Sequence, residues 1–481
     1  MYAHDFLKRL TVHHYFIACL LIALIWTGIN AWLIVPVSLG AADGTSFALL
    51  NEWAVKIGTN HFDQIARLWK SLQVNIYATL FVTAFCLYAV PWLAKSEEGN
   101  RFDHLSVVAF LWAFATLVHQ GHMGYMVALA DDTPMTLAAV WVLFHPNCLR
   151  GFVILLIIQF ASFTLQMPNV SNHTVFLWIA IISVLLCLAR LQLHEKSNPV
   201  SRTHMYSDIA KVLRVELILL YIIATVAKIN WTYMDPDLSS CVALLDLLRE
   251  RIDIFPDSIY TRFAVIYGSL LAELSLPAFL LFSRTRKFGL LFGWTFHLFL
   301  GIAGYGDFSS VVFLFYSLFT PNDFPARLNS VYKEFPTFRK ITLWIKFPVI
   351  ERKLITALMV GFLILAFVGQ LNRMGIAGSS NSIQIITKEI TFILWLGFSF
   401  FFALSYYLAM RVGDYHPQRY SFAKMLRPVF IIGPLLMVLN SITPYVGLKT
   451  EFSFTMFSDL LTEGDEWNSI FGSTGFLVGT Y

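Results

Sequence analysis

Charged residues are scarce in this sequence. Asp, Glu, Lys and Arg make up 13% of its 481 residues, about half of the roughly 25% usual in a soluble domain. Intrinsic disorder is thereby excluded, because disordered chains are polar and highly charged. Cysteine is scarce too: five in the whole chain are too few for a disulfide-stapled secreted scaffold. Nor is there a large excess of one sign, and a net charge of +4 gives no reason to invoke nucleic acid. The chain lacks a Cys-x-x-Cys or zinc-finger spacing, a Gly-x-Ser-x-Gly elbow and a glycine-rich phosphate loop, so no nucleotide or serine-hydrolase signature is present. No repeat, low-complexity tract or linker divides it, and we expect one integral membrane domain over 1–481.

What is abundant is apolar surface. Hydrophobic residues reach 57% and aromatic ones 16%, more than any fold in water can hide. The expected architecture is an all-α, polytopic transmembrane helical bundle whose first partner is the lipid bilayer. A crossing helix needs about 20 mostly apolar residues. Candidate runs lie near 15–36, 73–94, 105–130, 150–167, 174–193, 209–228, 262–283, 288–304, 308–320, 355–371, 389–410 and 427–446. Some are short or share a boundary, so about nine to eleven true crossings are expected. None alternates like a barrel strand. The first run, after Lys8 and Arg9, reads as a retained signal anchor.

Short basic loops mark the cytoplasmic side. Arg284 to Lys287, Arg327 to Lys353 and Arg411 to Lys424 should lie inside. The acidic loop 232–261 and the short tail 447–481 should lie outside. An inside N-terminus fits this alternation only if one early segment is re-entrant or an extra span; 134–147, with Pro134 and Pro146 near its ends, is the candidate. The polar stretch 321–354 reads as an amphipathic segment on the inner leaflet.

An ionisable residue within a span is costly and is a functional candidate by default. Lys228 ends the run 209–228, and Tyr221 and Thr225 share its helix face. It reads either as a snorkelling lysine with Trp231 as interfacial anchor, or as a proton acceptor, which requires a neutral amine that burial would favour. Glu273 falls in the middle of the next span and must be protonated or paired, with Lys228 and Arg214 as possible partners. It is either an interhelical clamp or part of the chemistry. Gly289, Gly293, His297, Gly301 and Gly304 form one face, which suits close helix packing or a flat slot beside the imidazole. His119 and His122 lie three apart; two histidines on one face can ligate a metal, but hydrogen bonding fits better and no metal is expected. Cys19, Cys86 and Cys187 read as packing residues, and a Cys148–Cys241 disulfide is one option.

Three stretches together resemble the vitamin K-dependent gamma-carboxylase family and its bacterial relatives with a horizontally transferred transmembrane domain. They are Tyr221-Ile-Ile-Ala-Thr-Val-Ala-Lys228-Ile-Asn230-Trp231; Glu273 to Pro277 followed by Phe296-His297 and Gly301 to Phe308; and Pro444-Tyr445-Val446-Gly447-Leu448 with Phe452-Ser453, Met456-Phe457-Ser458 and Leu461-Thr462-Glu463-Gly464. The last is the most specific. The resemblance covers most of the chain, although the first 100 residues match only in being hydrophobic. It implies a lyase that couples epoxidation of vitamin K hydroquinone by O₂ to γ-carboxylation of a peptide glutamate with CO₂. It also implies Lys228 as the base, with His297, Tyr221, His122 and Gly301 at the cofactor and Glu273, Trp231, Asn230 and His119 in support. A glutamate-containing peptide or protein is the implied partner, and a bacterial inner membrane, with the site toward the extracytoplasmic side, the implied location. Gly121-His122-Met123-Gly124-Tyr125 has one more residue between His and Tyr than the family's Asn-His-Ser/Gly-Tyr pattern. The animal members' large lumenal domain has no counterpart before Tyr481. Two other functions compete: a non-enzymatic membrane partner for maturation or export of a secreted peptide, and a transporter with Glu273 and Arg214 on its pathway. Inverted repeats or paired broken helices would favour transport, and the sequence shows neither.

Overall fold

The computed structural model describes residues 102–123, 133–166, 170–194, 201–252, 254–334, 380–411, 427–446, 453–455 and 458–460. The chain divides into two compact units, Met1–Ala94 and Lys95–Tyr481, and all described residues belong to the second. The expected spans at 15–36, 73–94 and 355–371, Cys19 and Cys86, all of 335–354, the basic stretch 412–424 and most of 447–481 lie outside them.

Every regular element among the described residues is helical. In chain order they are α1 (His104–His122), α2 (Thr133–Phe144), α3 (Leu149–Gln166), α4 (Asn172–His194), α5 (Arg202–Ala227), α6 (Trp231–Met234), α7 (Ser240–Arg251) and α8 (Ile259–Leu281). They continue as α9 (Arg286–Leu300), α10 (Gly306–Ser317), α11 (Phe324–Glu334), α12 (Ser380–Arg411) and α13 (Pro428–Ile442). Six helical stretches among the described residues are long and apolar enough to cross a membrane.

The differences from the expected spans have physical causes. The runs 288–304 and 308–320 form two helices, α9 and α10, that fold back on each other: the Trp294 and Phe313 rings stack 3.9 Å apart, and Ser309 Oγ donates to the His297 carbonyl. A π turn at Gly301–Tyr305 joins α9 to α10, with Gly304 at φ 114, a backbone that glycine alone adopts at little cost. The chain changes direction there without leaving the bundle. Segment 134–147 yields α2, whose 12 residues extend only about 18 Å, well short of the roughly 30 Å hydrocarbon core. The apolar part of α3 is also short, Leu149–Thr164. Helix α5 has 26 residues, but Asp208, Lys211, Arg214 and Glu216 break its apolar composition.

Helices α1 and α10 pack most extensively, and α4 and α5 adjoin α10. All of α10 is buried. By contrast, α8, α12 and α13 bury a third or less of their apolar windows, and Leu271, Leu274, Phe282, Ile393 and Leu394 are each more than 60% exposed. Such a continuous apolar exterior suits lipid and not water. Among the described cysteines, Cys148, Cys187 and Cys241 are all free thiols; Cys241 Sγ lies against Ser269 and Val265, so no Cys148–Cys241 disulfide forms.

At one end, Asp103 caps α1, accepting from the Ser106 backbone N–H at 2.8 Å while Ser106 Oγ accepts from the Asp103 N–H. Arg202, opening α5, donates to both Asp103 oxygens at 2.7 and 2.8 Å and to the Asn147 carbonyl. Burial opposes ionisation of Asp103, but the bonds and charge of Arg202, with Ser106, outweigh it and hold the carboxyl below its ordinary range. A carboxyl depressed in the folded state stabilises at pH above its unfolded value, near 4, and loses that contribution as pH falls through the folded value. Thermal unfolding in detergent should therefore lose stability below about pH 4, and Asp103→Asn, which keeps the cap, should remove that acid-dependent part. At neutral pH the substitution should cost on the order of 1 kcal/mol, because water still reaches the carboxylate.

Candidate functional site

Helix α5 carries Tyr221 and Lys228 seven residues apart, two turns along one face. Lys228 is the C-cap of α5. Its Nζ donates to Glu273 Oε1 of α8 at 2.5 Å, and both residues are at least 90% buried. A buried lysine is stable only with such a partner. Pro277 lies one turn beyond Glu273 within α8 and has no N–H to donate to the Glu273 carbonyl. The second carboxylate oxygen, Glu273 Oε2, is buried without a hydrogen-bond partner among the described residues. Arg214, the other possible partner, instead donates to the Leu318 carbonyl.

Two turns back along α5, the Tyr221 hydroxyl lies 2.7 Å from His297 Nε2 and 2.5 Å from the Tyr316 hydroxyl. These three side chains come from α5, α9 and α10 and are buried. His297 Nδ1 has no hydrogen-bond partner among the described residues. Tyr221 and Lys228 sit two turns apart on one face of α5, so the triad lies along the same helix face as the pair. Thr225 shares the face but spends its hydroxyl on the Tyr221 carbonyl.

At Gly289, Gly293 and Gly301 the glycine face leaves no open slot; beside Gly304, in the turn, the space is open. A Cβ on Gly293 would collide with Tyr316, one on Gly301 with Trp395 of α12, and one on Gly289 with Phe279. The glycines admit aromatic rings from neighbouring helices, and Gly293 lets Tyr316 reach Tyr221. A cavity of about 80 Å³ lies on another side of α9, lined by Leu291, Trp294, Leu298, Phe313, Ser399 and Tyr406 among others.

Beyond Lys228, Asn230 caps α6. Its Oδ1 accepts from the Tyr233 N–H, and its Nδ2 donates to the carbonyls of Ala227 and Ser458. The backbone at Ser458 is thereby tied to a residue two positions from Lys228. Phe454 sits there at φ 64, a left-handed backbone costly for a bulky residue; its N–H donates to Asn172 Oδ1. Trp231 is 68% exposed, as an interfacial anchor would be. Tyr233 donates or accepts at Ser269 Oγ, 2.6 Å away, and burial, with Cys241 and Glu273 nearby, pushes its phenol far above the usual range. Burial also pushes the Cys241 thiol up, which leaves it unreactive.

Of the residues expected from sequence, Lys228, Glu273, Tyr221 and His297 come together. Gly301 packs on Trp395, and Asn230 and Trp231 flank the site. His119 and His122 do not act as a pair: His119 faces His173 and Asp307, and His122 is half-buried at the end of α1. Tyr316 was not foreseen; its signal is a tyrosine inside the aromatic run Phe313-Leu314-Phe315-Tyr316. No known protein family, curated protein or solved structure matches this chain.

Removing one partner of a buried ion pair strands the other charge. Lys228→Met alone should destabilise the protein by about 3–5 kcal/mol, and the double variant Lys228→Met/Glu273→Leu should regain most of that loss, measured by thermal unfolding in detergent.

Proposed function

We propose that this chain is a membrane enzyme of the vitamin K-dependent carboxylase type, with Lys228 as the base. The observation that carries the reading is the buried Lys228–Glu273 pair, which has one carboxylate oxygen without a partner among the described residues. An ammonium is not a base. Transfer of its proton to Glu273 Oε1, to which Nζ is hydrogen-bonded, would leave the neutral amine that a base requires. The amine can then take a proton from a weakly acidic hydroxyl such as that of a quinol.

The residues fit a hydroquinone in polar terms. Glu273 Oε2 and His297 Nδ1 are two buried atoms without partners among the described residues, and a diol offers a partner to each. Tyr221, tied to both His297 and Tyr316, fixes the imidazole's orientation. When bound and oxidised by O₂, the hydroquinone supplies the strong base that a peptide γ-carbon proton demands and no side chain provides; CO₂ then adds to that carbon. The apolar walls of α5 and α8 would keep water from the reacting groups.

The C-terminal string of the resemblance supports the same reading, since Asn230 holds Ser458 next to Lys228. In this reading the chain crosses a bacterial inner membrane nine to eleven times. The basic stretches lie inside and the Lys228 end of α5 faces the extracytoplasmic side, where a glutamate-containing peptide is met.

Purified protein in detergent, given reduced vitamin K, O₂, ¹⁴C-bicarbonate and a glutamate peptide, should form quinone epoxide and labelled peptide. The Lys228→Met/Glu273→Leu variant, folded but without the amine, should lose both by about 10²–10⁴-fold. His297→Ala should slow quinol turnover in a protein that still folds; unchanged quinol kinetics would return His297 to a packing role. If neither product forms where a known carboxylase is active, the reading fails.

A further inference from the structure

His297 has a second polar neighbourhood beside it. The Phe308 ring is centred 5.4 Å from the His297 ring and 6.2 Å from that of His173. His173, in the first turn of α4, places Nε2 at 3.1 Å from Asp307 Oδ2 and 3.3 Å from His119 Nδ1. The triangle closes with 3.7 Å between His119 Nδ1 and the same Oδ2. All three residues are more than 90% buried, and they arrive from α1, α4 and α10.

Protons alone serve this triangle poorly. One imidazole nitrogen cannot both donate to Asp307 and accept from His119, and 3.7 Å is too long for a hydrogen bond on the third side. A single cation satisfies all three atoms at once. In a tetrahedral zinc site with bonds of about 2.0–2.1 Å, ligand atoms lie about 3.3–3.4 Å apart, and the observed 3.1, 3.3 and 3.7 Å bracket that spacing.

The surroundings hold the donors in place, as metal ligands require. Asp307 Oδ1 accepts from the Phe308 N–H at 2.8 Å, which turns Oδ2 toward the histidines. Ser171 Oγ lies 3.0 Å from His173 Nδ1 and 3.1 Å from its Nε2, and 2.7 Å from Thr174 Oγ1. The break at Gly304 gives α10 its own N-terminus, and Asp307 occupies its first turn, where a carboxylate is favoured.

The geometry points to a site at His119, His173 and Asp307 for a divalent transition-metal ion, with zinc best matched by the spacing. Two imidazoles and a carboxylate suit such ions better than magnesium or calcium. Three protein donors correspond to a zinc ion that keeps one coordination position for water or substrate, whereas a closed structural site uses four. This inference is independent of the quinol reading, because metal affinity is measured without turnover.

The test uses the full chain in detergent, stripped with chelator and titrated with Co²⁺ and then Zn²⁺. One Co²⁺ per chain should bind, with the visible absorption of a four- or five-coordinate ion, and Zn²⁺ should displace it. Asp307→Asn and His173→Gln should each weaken binding at least about tenfold, while His122→Gln, three residues from His119, should leave it unchanged. Absence of the visible bands in the unsubstituted chain overturns the site and needs no variant to fold. Equal binding in all variants, or loss in His122→Gln alone, overturns it as well.

Discussion

A charge carried into a low-dielectric interior persists only when an opposite charge or a set of dipoles accompanies it, and the described helices are arranged around that requirement. Helix α5 brings the ionisable side chains of Arg202, Asp208, Lys211, Arg214 and Glu216 into the bundle, with Lys228 at its C-cap, and each makes a polar contact there; Arg202 takes Asp103. Asp208 receives Arg190 and Lys211, Arg214 takes the Leu318 carbonyl, Glu216 accepts from Ser183, and Lys228 takes Glu273. These partners lie on α4, α5 itself, α8 and the turn after α10. Satisfying α5 therefore sets the rotation of its neighbours, which a purely apolar helix would leave to packing alone.

Close approach is the second constraint. Glycines on α9 and α13 sit where neighbouring side chains need the space: Tyr316 at Gly293, Trp395 at Gly301, and Ser183 with Glu216 at Gly433. In each case the missing Cβ lets a polar or aromatic group reach a partner deep in the bundle. The backbone turn at Gly304 folds α10 back on α9, so that His297 and Asp307 face separate polar clusters.

The helical class follows from composition, because no other fold hides so many apolar residues with so little charge. The number of crossings does not, since the charges on α5 and the short apolar lengths of α2 and α3 both defeat a simple hydropathy reading. Lys228 and Glu273 are visible in sequence as rare intramembrane charges. Their pairing is not, because the choice between Glu273 and Arg214 depends on helix rotation. The glycine face is readable as a period of four, whereas its occupant Trp395 lies 94 residues beyond Gly301. His119 pointed toward His122 by spacing, yet its companions are His173 and Asp307. The rule that singled out Glu273 would have flagged Asp307 too, just after the Gly304 break.

Phe454, Ser458 and Asp459 bear on the timing of assembly. Asn172 holds Phe454, Asn230 holds Ser458, and the Asp459 carboxylate accepts from the Ser240 N–H. These links join positions 282, 228 and 219 residues apart. Helices made early by the ribosome can enter the bilayer one after another, but these tethers form only after Phe454, Ser458 and Asp459 have been made. Such distant closures are slow to form. The surroundings of Lys228 are thus completed only after Ser458 is made, however early α5 itself inserts.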